Sequence, residues 1–255
     1  MQEQERSLTA ERKEHLLSAI ASDGKVLAKE AARDLGVSED TIRRDLRELA
    51  AAGLCRRVYG GALPVPAAQA TYEERGSLNT AGKSRVAEAA AGLVRPGMTF
   101  VLDGGTTALR VARSLPDDLA ATVVTHSPTV AVELLPKTGI EVVLIGGRLF
   151  RHSAVASGAA AVEAASQINA DLFLMGVTGV SADFGLTTGD SDEAVVKRTF
   201  ARRSAETFVL ASSEKIGAAS PFQVLPLSGV TGVVTDAEES SALDAISQRV
   251  RVIRA

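Results

Sequence analysis

The amino-terminal part of the chain carries a dense group of arginines. Between positions 43 and 57 the sequence has five arginines and two acids, which are Arg43, Arg44, Arg47, Arg56 and Arg57 with Asp45 and Glu48. A guanidinium is a planar donor that forms paired hydrogen bonds with phosphate oxygens or with the edge of a guanine base. The alternative is a solvated helix face of mixed charge. The cluster therefore indicates DNA binding, provided that the fold presents these side chains together.

A second group of residues suits the binding of an anion. Residues 103–107 read Asp-Gly-Gly-Thr-Thr and follow a predicted strand. Gly104 and Gly105 let backbone amides approach an anion, Thr106 and Thr107 can donate from their hydroxyls, and the next helix points its positive end at the same place. The alternative is an ordinary turn with a helix cap. The spacings of a Walker loop and of a dinucleotide fingerprint do not occur in the sequence.

Two further polar loops follow predicted strands and are expected to converge on the first. They contain Thr125, His126 and Ser127, and Gly146, Gly147 and Arg148. Asp103 either accepts hydrogen bonds from sugar hydroxyls or caps its own loop. His126 either donates to a phosphate or hydroxyl or is an ordinary exposed loop histidine.

Three charged residues farther along the chain are also candidates. Glu193 and Lys197 stand four apart on a helix predicted over residues 190–200, either as a stabilising ion pair or as ligand contacts. Lys215 follows a strand predicted over residues 206–210, where it either reaches a phosphate or is simply solvated.

The arginine cluster belongs to a predicted helix-turn-helix. We expect a first helix capped by Thr9, and a second that ends at Gly36 with Leu27, Ala31 and Leu35 on one face. Ser38 caps the third helix, whose apolar residues recur at i, i+4 and i+7. Its inward residues are Ile42, Leu46 and Leu49, and its outward residues are Thr41, Arg43, Arg44 and Arg47. Such a third helix fits the major groove of DNA.

A small wing is predicted directly after the third helix. Residues 54–58 are β-like, and Tyr59 begins a turn with two glycines. Arg56 and Arg57 would then lie beside the phosphate backbone. Residues 1–62 are thus assigned to a winged helix-turn-helix domain.

The rest of the chain predicts an α/β domain. Residues 63–80 contain Pro64 and Pro66 without a sustained period and are assigned as a linker. From residue 81 to 255, apolar strands at 99–102, 122–125, 141–145 and 171–175 alternate with helical patterns. This alternation predicts a mainly parallel sheet with helices on both faces, which binds ligands at the carboxyl ends of its strands.

Composition excludes several classes of protein. The 255 residues are 45% hydrophobic, enough for two cores, and Cys55 is the single cysteine, which excludes an intrachain disulfide and a cysteine-built zinc site. Residues 216–235 are uncharged but contain prolines and glycines, and the amino terminus lacks a signal-peptide pattern, so we expect a cytoplasmic protein without a membrane span. His15 and His152 lack the spacing of metal ligands, and no metal or cofactor is expected.

The net charge of −3 at first argues against a nucleic-acid partner. However, residues 1–62 carry eleven bases and eleven acids, so the acidic excess belongs to the rest of the chain. A neutral small domain with a local basic surface is compatible with DNA binding.

Two longer motifs stand in the amino-terminal part, at residues 37–46 (VSEDTIRRDL) and, after Gly53, at residues 57–62 (RVYGGA). They resemble the DNA-binding domain of DeoR-type bacterial transcription regulators. The position of Tyr59 is more often histidine in that family, and the change keeps an aromatic ring with a polar tip. The resemblance implies that Ser38, Thr41 and Tyr59 contact DNA together with the five arginines.

The later part resembles the effector domain of the same family. The similarity lies in Lys83 and Ala87 and in the runs at residues 102–107, 124–127, 146–149, 185–188, 193–197, 213–215 and 235–236. The resemblance implies a fold shared with ribose-5-phosphate isomerase and glucosamine-6-phosphate deaminase, and a phosphorylated sugar as ligand. It implies that Lys83, Gly105, Thr106 and Thr107 hold the phosphate, while Asp103, Glu193 and Lys197 face the sugar. His126 replaces the usual asparagine, and residues 211–215 (ASSEK) lack the usual aspartate.

These observations favour a repressor that a phosphorylated sugar releases from double-stranded operator DNA. A two-fold symmetric operator implies a homodimer or homotetramer, associated with the bacterial nucleoid when bound. One rival is a sugar-phosphate isomerase or deaminase with Glu193 and Lys197 as its acid-base pair. Another is an architectural DNA binder whose second domain only oligomerises.

Overall fold

The amino-terminal part of the chain folds as three helices and a small antiparallel sheet. In the computed structural model, which describes residues 2–23, 25–52, 54–63, 72–77 and 79–255, the helices are α1 (Gln2–Asp23), α2 (Ala28–Asp34) and α3 (Glu39–Ala51). The strands are β1 (Val26–Leu27), β2 (Arg56–Val58) and β3 (Gly61–Leu63), in the order β1-β3-β2. The helices share a core that includes Leu16, Ile20, Ala32, Ile42, Leu46 and Leu49.

The predicted helix-turn-helix and wing are confirmed, with two local errors. Thr9 does not cap the first helix, because α1 begins at Gln2 and Thr9 lies inside it. A threonine is tolerated within a helix at small cost, so its presence does not by itself mark a boundary. Leu27 is not on the buried face of α2, because it lies in β1, pairs with Gly61 and is 39% exposed. Its strand pairing overrides the helical period seen in the sequence.

Gly61 lets β1 close the sheet at the base of the wing. A Cβ atom at this position would lie 1.9 Å from the carbonyl oxygen of Val26, in the neighbouring strand. The hairpin β2–β3 turns at Tyr59 and Gly60, with Arg57 opposite Ala62. Glycine is therefore required where the three strands meet.

The carboxyl-terminal part contains the larger sheet. Its helices are α4 (Tyr72–Ser77), α5 (Thr80–Ala91), α6 (Thr106–Ser114), α7 (Pro128–Leu134), α8 (Ala159–Ser166), α9 (Ser191–Arg202) and α10 (Ser241–Ser247). Its strands are β4 (Thr99–Leu102), β5 (Ala121–Thr125), β6 (Ile140–Leu144), β7 (Arg148–Phe150), β8 (Val155–Ser157), β9 (Ala170–Gly176), β10 (Gly179–Ser181), β11 (Gly185–Thr188), β12 (Ser204–Leu210), β13 (Phe222–Leu225), β14 (Gly232–Thr235) and β15 (Arg251–Arg254).

Seven parallel strands form this sheet in the order β15-β14-β12-β9-β4-β5-β6. From β4 the chain adds β5 and β6 on one side and then returns to add β9 on the other. The strand order thus reverses between β4 and β9. In open α/β sheets, ligands bind at the carboxyl ends of the strands where this reversal occurs.

Apolar side chains cover both faces of the sheet. In β9, Leu172 and Leu174 belong to the core on one face, while Phe173 and Met175 belong to the core on the other. Helices α5, α6 and α7 supply the first core, and α8, α9 and α10 supply the second. The predicted α/β class is confirmed. A three-stranded antiparallel sheet, β10-β11-β13, and the hairpin β7–β8 are added to it.

Part of the segment assigned as a linker has regular structure. Residues 72–77 form α4, whereas residues 64–71 lie outside the described ranges. A helix of six residues is too short to show a sustained hydrophobic period, and tertiary contacts rather than intrinsic propensity hold such a segment. Across the described residues, no helix is both long and apolar enough to cross a membrane.

Candidate functional site

The outer face of α3 presents the predicted DNA-contacting residues together. Ser38 caps the helix, since its Oγ accepts a hydrogen bond from the Thr41 backbone N–H at 3.2 Å. A shallow depression on this face is lined by Ser38, Asp40, Thr41, Arg43, Arg44 and Arg47. The arrangement places three guanidinium groups on one exposed helix surface.

The two acids of the arginine cluster are directed away from that surface. Asp45 is buried and accepts from Arg12 of α1, with Oδ2 2.5 Å from Nε. The hydrogen bond to Asp45 raises the pKa of Arg12 above its usual value. Glu48 pairs with Lys13 at 2.6 Å, which lowers the pKa of Glu48. Neither acid is therefore paired with the outward arginines.

One of the outward arginines has a local partner. The Arg43 guanidinium lies 2.7 Å from Glu39, one turn earlier on α3. The pair is exposed on both sides and is worth at most about 1 kcal/mol, so a DNA phosphate can replace Glu39 at little cost.

The wing residues differ in exposure. Tyr59 at the turn is fully exposed and Arg57 is exposed on β2, so both are accessible to DNA. Arg56 is partly buried, and burial lowers its pKa. Its Nε atom has no hydrogen-bond partner among the described residues. Arg56 thus contributes to the base of the wing as well as to its charge.

A cleft lined largely by charged and polar residues opens at the point where the strand order reverses. Two segments from the ends of β4 and β9 form its walls, and helices α4, α5 and α9 contribute cations. Its lining residues are Arg75, Lys83, Gly104, Gly105, Thr106, Thr107, Ser153, Gly176, Val177, Thr178, Thr188, Glu193, Lys197, Glu214 and Lys215.

The amino terminus of α6 faces this cleft with no side chain capping it. Gly105 is the N-cap residue with φ of 93°, and a Cβ atom there would meet nothing within 4 Å. The Oγ1 atom of Thr107 is buried and has no hydrogen-bond partner among the described residues. Backbone amides at a helix start carry partial positive charge and bind anions. The predicted anion-binding character of this loop thus has a matching geometry.

Three buried or partly buried cations surround the same space, and burial lowers the pKa of each. The Lys83 ammonium donates to the Arg75 carbonyl at 2.6 Å, and burial lowers its pKa. The Arg75 guanidinium donates to the His152 carbonyl, and burial lowers its pKa as well. Burial, together with the charges of Lys83 and Arg75, also lowers the pKa of Lys215 to about 8 despite the opposing charge of Glu214. Desolvation therefore favours the neutral forms of these groups, which a bound anion would oppose.

A buried ion-pair network forms the floor of the cleft. Lys197 bonds to Asp103 Oδ2 and lies 3.3 Å from Glu193 Oε1, and Thr188 Oγ1 donates to Glu193 Oε2 at 2.5 Å. Burial opposes ionisation of Asp103, but the charge of Lys197 and the hydrogen bond from His126 outweigh it, so the pKa of Asp103 lies well below its usual range. Burial likewise opposes the charge of Lys197, but Asp103 and Glu193 raise its pKa. Glu193 and Lys197 are thus both an ion pair and part of the cleft lining.

Asp103 does not face the cleft, contrary to the role implied by the resemblance. Its Oδ1 accepts from the Gly104 N–H at 2.8 Å and from His126 Nε2 at 2.6 Å. Its Oδ2 accepts from the Gly176 N–H at 2.8 Å and from Lys197. A carboxylate has about four acceptor sites, and all of them are filled. The alternative that Asp103 caps its own loop is supported, and the residue also joins β4, β9 and α9.

His126 is neither an exposed loop residue nor part of the cleft lining. It is fully buried, with Nδ1 2.9 Å from the Ala156 carbonyl and Nε2 on Asp103. The two partners, a carbonyl and a carboxylate, together fix the orientation of the ring. The ring supports Asp103 from behind instead of reaching a ligand.

The other two polar loops do not converge on the cleft as expected. Thr125 and Ser127 bond to one another, and Ser127 also donates to the Ala154 carbonyl at 3.1 Å. Gly146 and Gly147 are exposed, and neither is among the lining residues of the cleft given above. These loops follow β5 and β6, which lie on the far side of β4 from β9. Strand order, which the sequence pattern does not reveal, selects the loops after β4 and β9.

Several cleft residues were missed from the sequence. Arg75 lies on the short helix within the assigned linker, and Ser153 and Thr178 come from loops without a recognised motif. Glu214 lies within the run at residues 213–215 but was not named as a candidate. Thr188 lies within a run that resembled the family, and its spacing of five from Glu193 was the available signal. Within the described ranges, no cluster of three or more His, Cys, Asp or Glu residues is arranged to hold a metal ion.

Comparisons with known proteins cover both parts of the chain. A family described as the DeoR-like helix-turn-helix domain matches residues 12–65, and one described as the DeoR C terminal sensor domain matches residues 78–237. The transcriptional regulator GlpR of Haloferax volcanii is 35% identical over 90% of each chain. The glycerol-3-phosphate regulon repressor of Escherichia coli K12 is 30% identical, over 87% of this chain and 88% of the repressor.

Solved structures superpose on parts of the chain. Ribose 5-phosphate isomerase A from Methanocaldococcus jannaschii superposes with a TM-score of 0.41, 20% identity and 54% coverage of each chain. A probable sor operon regulator from Shigella flexneri superposes with a TM-score of 0.46 and 13% identity, over 67% of this chain and 91% of the regulator. The curated relatives described above are transcriptional regulators and not enzymes. The chain belongs to the DeoR family of transcriptional regulators, with a DNA-binding helix-turn-helix domain followed by a sensor domain.

Proposed function

We propose that this regulator represses sugar-metabolism genes and that a phosphorylated sugar in the sensor-domain cleft controls its binding to operator DNA. The observation that carries the proposal is a group of cations beside the amino terminus of a helix. Arg75 and Lys215 line the cleft beside the uncapped start of α6, and neither forms a salt bridge with a carboxylate among the described side chains, although the charges of Glu193 and Glu214 act on them. The names of the relatives, which include a glycerol-3-phosphate regulon repressor and a putative aga operon repressor, support it.

The phosphate is assigned to the end of the cleft where α6 begins. Gly105, Thr106 and Thr107 supply amides and hydroxyls there, and Lys83 and Lys215 supply charge. A phosphate monoester carries up to two negative charges. It would therefore offset the cost of burying several cations at this site. Its sugar hydroxyls then face Thr178, Thr188, Glu193 and Lys197, which also line the cleft.

The DNA is assigned to the outer face of α3 and the wing. Thr41, Arg43, Arg44 and Arg47 enter the major groove, with Ser38 at the helix start. Arg56, Arg57 and Tyr59 lie on the wing beside the phosphate backbone. In domain terms, residues 1–62 read DNA and residues 81–255 bind the effector.

We further propose that the protein acts as a homodimer or homotetramer on a two-fold symmetric operator, in the cytoplasm and at the nucleoid. Effector and DNA are linked when the ligand prefers the arrangement that does not bind DNA. A coupling free energy of about 1–3 kcal/mol changes DNA affinity about 5- to 150-fold.

The test separates the two binding functions in one chain. Footprinting on the DNA upstream of the protein's own gene, with and without phosphorylated sugars, is expected to show a protected site that the effector removes. A thermal-shift screen identifies the effector, because a ligand at about 100 times its Kd stabilises the fold by about 2.7 kcal/mol.

Two variants assign the functions to their domains. Arg44→Ala is expected to lose operator binding and keep the thermal shift, since Arg44 lies on the exposed face of α3. Thr106→Val is expected to lose the thermal shift and keep operator binding, since Thr106 lines the cleft. Loss of both functions in both variants, or absence of any protected site at moderate salt, would refute the proposal.

A further inference from the structure

The helix α4 is held against the sensor domain by contacts that reach the cleft. The Tyr72 hydroxyl lies 3.1 Å from Thr129 Oγ1, and the Arg75 guanidinium stands 5.9 Å from the centre of the Tyr72 ring. The Arg75 carbonyl accepts from Lys83 of the cleft, and the Gly76 carbonyl accepts from Arg110 at 3.4 Å. Two cationic side chains of the sensor domain thus hold the backbone of this helix.

Arg75 combines burial with an unfilled donor. Its side chain lines the cleft, and its Nε atom is buried without a hydrogen-bond partner among the described residues. Its guanidinium donates to the His152 carbonyl and forms no salt bridge with a carboxylate among the described side chains, although the charge of Glu193 acts on it. A guanidinium has five donors and keeps its charge, so an incompletely satisfied buried arginine is costly unless an acceptor arrives.

Arg75 also connects the lining of the cleft to the backbone of α4. Lys83 lines the cleft and at the same time donates to the Arg75 carbonyl at 2.6 Å. An ammonium has three donors, so Lys83 can contact an anion in the cleft while it holds the backbone of α4. The side chain of Arg75 can contact that anion in return, since its planar donors fit phosphate oxygens in pairs.

We propose that Arg75 binds the anionic group of the effector and that α4 is therefore a ligand-responsive part of the segment between the two family domains. The proposal rests on the proposed function and extends it. The two domain matches end at residue 65 and begin at residue 78, so α4 lies outside both. Binding adds contacts of Lys83 and Arg75 with the anion to the contact that Lys83 makes with the α4 backbone. The occupancy of the cleft is in this way communicated to the chain that leads to the DNA-binding domain.

The first test measures the contact itself on the full-length protein. Affinities for inorganic phosphate, glycerol 3-phosphate, ribose 5-phosphate and glucose 6-phosphate are measured by calorimetry for the wild type, Arg75→Gln, Arg75→Lys and Arg110→Gln. Arg110 holds the Gly76 carbonyl but does not line the cleft, so Arg110→Gln is the control for loss of a contact to α4 alone. We expect Arg75→Gln to weaken the best ligand about tenfold or more, Arg75→Lys to restore part of the loss, and Arg110→Gln to stay within about threefold.

The outcomes separate this proposal from the one on which it rests. If the wild type binds none of the four phosphates, the proposed function fails and this proposal fails with it. If the wild type binds one of them and Arg75→Gln binds it equally well, the proposed function stands and the assignment of Arg75 is wrong. Melting temperatures without ligand show whether each variant is folded, and Arg75→Lys keeps the test valid if Arg75→Gln is unstable.

The second test measures the response of α4. Hydrogen exchange of a peptide that contains residues 72–77 is compared with and without the best phosphate ligand. The wild type is expected to change its exchange rate on binding, and Arg75→Gln at saturating ligand is expected to show a much smaller change. The Arg75→Gln variant is also expected to remain bound to operator DNA at ligand concentrations at which the wild-type protein dissociates from it. Unchanged exchange in the saturated wild type would overturn the role of α4.

Discussion

At the scale of single residues, the cleft depends on groups that lie behind its surface. Asp103 receives four hydrogen bonds, from two backbone amides, His126 and Lys197, and none of its acceptor sites is left for a ligand. It fixes the Lys197 ammonium that does line the cleft. The residue is thus better described as a positioning group than as a ligand contact.

Substitution of Asp103 is expected to destabilise the protein strongly. Asp103→Asn removes the carboxylate that pairs with the buried Lys197 and bonds to His126, and removal of one member of a buried pair costs about 3–5 kcal/mol. Urea unfolding measures the change in the free energy of unfolding. Asp192→Asn is the matched control, because its pair with Arg148 is exposed and is worth less than about 1 kcal/mol. Equal losses in the two variants would contradict the network.

Lys215 is expected to make effector affinity depend on pH. Burial lowers its pKa to about 8, and a bound phosphate raises that pKa again, so binding takes up a proton when the ammonium is neutral beforehand. Affinity should therefore be constant below about pH 7.5 and fall as the pH rises through 8, by up to about tenfold per pH unit. Calorimetry between pH 7 and 9 measures this fall. Lys215→Met should bind more weakly and lose most of the pH dependence.

Lys215 also makes the free energy of unfolding depend on pH, and this quantity rises with pH where the effector affinity falls. The folded-state pKa of Lys215 lies below its ordinary value of 10.5, so the unfolded chain binds a proton more tightly than the folded chain. The contribution of Lys215 to the free energy of unfolding is therefore lowest below pH 8 and recovers as the pH rises toward 10.5. Without ligand, Lys215→Met should remove this rise.

At the scale of elements, the wing and the start of α6 both depend on glycines. The wing exists because β1 packs against β3 at Gly61, and the proposed anion site depends on the start of α6 at Gly105 with a positive φ. Glycine is needed at position 61 because a neighbouring backbone is close, and at position 105 because φ is positive. Helix α4 shows the converse, since tertiary contacts hold it where the local sequence has little helical signal.

Gly61→Ala is expected to damage the wing and spare the sensor domain. Its Cβ atom would lie 1.9 Å from the Val26 carbonyl oxygen, so β1 and β3 must separate, at a cost of about 1–3 kcal/mol. Operator affinity should fall while the effector-induced thermal shift remains. Gly146→Ala is the control, because an added Cβ there meets nothing within 4 Å. Normal operator binding by Gly61→Ala would show that the wing is dispensable.

At the scale of the whole molecule, charge is divided between two tasks. The chain has a net charge of −3, yet Arg44 and Arg47 are exposed on α3, where Asp45 and Glu48 are paired with α1 instead. The basic surface therefore exists only because two helices pack together. An exposed ion pair of 2.5 Å between Lys25 and Asp183 connects the helix-turn-helix domain to the turn before β11, and such a pair is weak enough to break when the domains move.

The salt dependence of operator binding should report the wing contacts. Each phosphate contact contributes about 0.9 to the slope of log K against log salt concentration. Arg57→Ala should therefore reduce the slope by about 0.9 for each subunit bound to the operator. Fluorescence anisotropy over a range of salt concentrations measures it. Arg202→Ala, exposed on α9 of the sensor domain, should leave the slope unchanged.

Much of this protein could be inferred from local sequence because local physics decides it. The cap at Ser38, the amphipathic period of α3 and the glycine-rich loop after β4 depend on neighbours within a few residues, and the structure shows all three. The alternation of strands and helices likewise predicted the parallel sheet, because parallel strands require crossover connections. The family resemblance then added the identity of the two domains.

Tertiary structure alone decided which of these features meet. The order of the strands placed the ends of β4 and β9 together and left the loops after β5 and β6 outside the cleft. It buried His126 and Asp103 beneath the surface that they had been expected to line, and it brought Arg75 into the cleft from a segment that reads as a linker. Contacts between residues far apart in sequence depend on how the layers pack, and the period of one helix or strand contains no information about its neighbours in space.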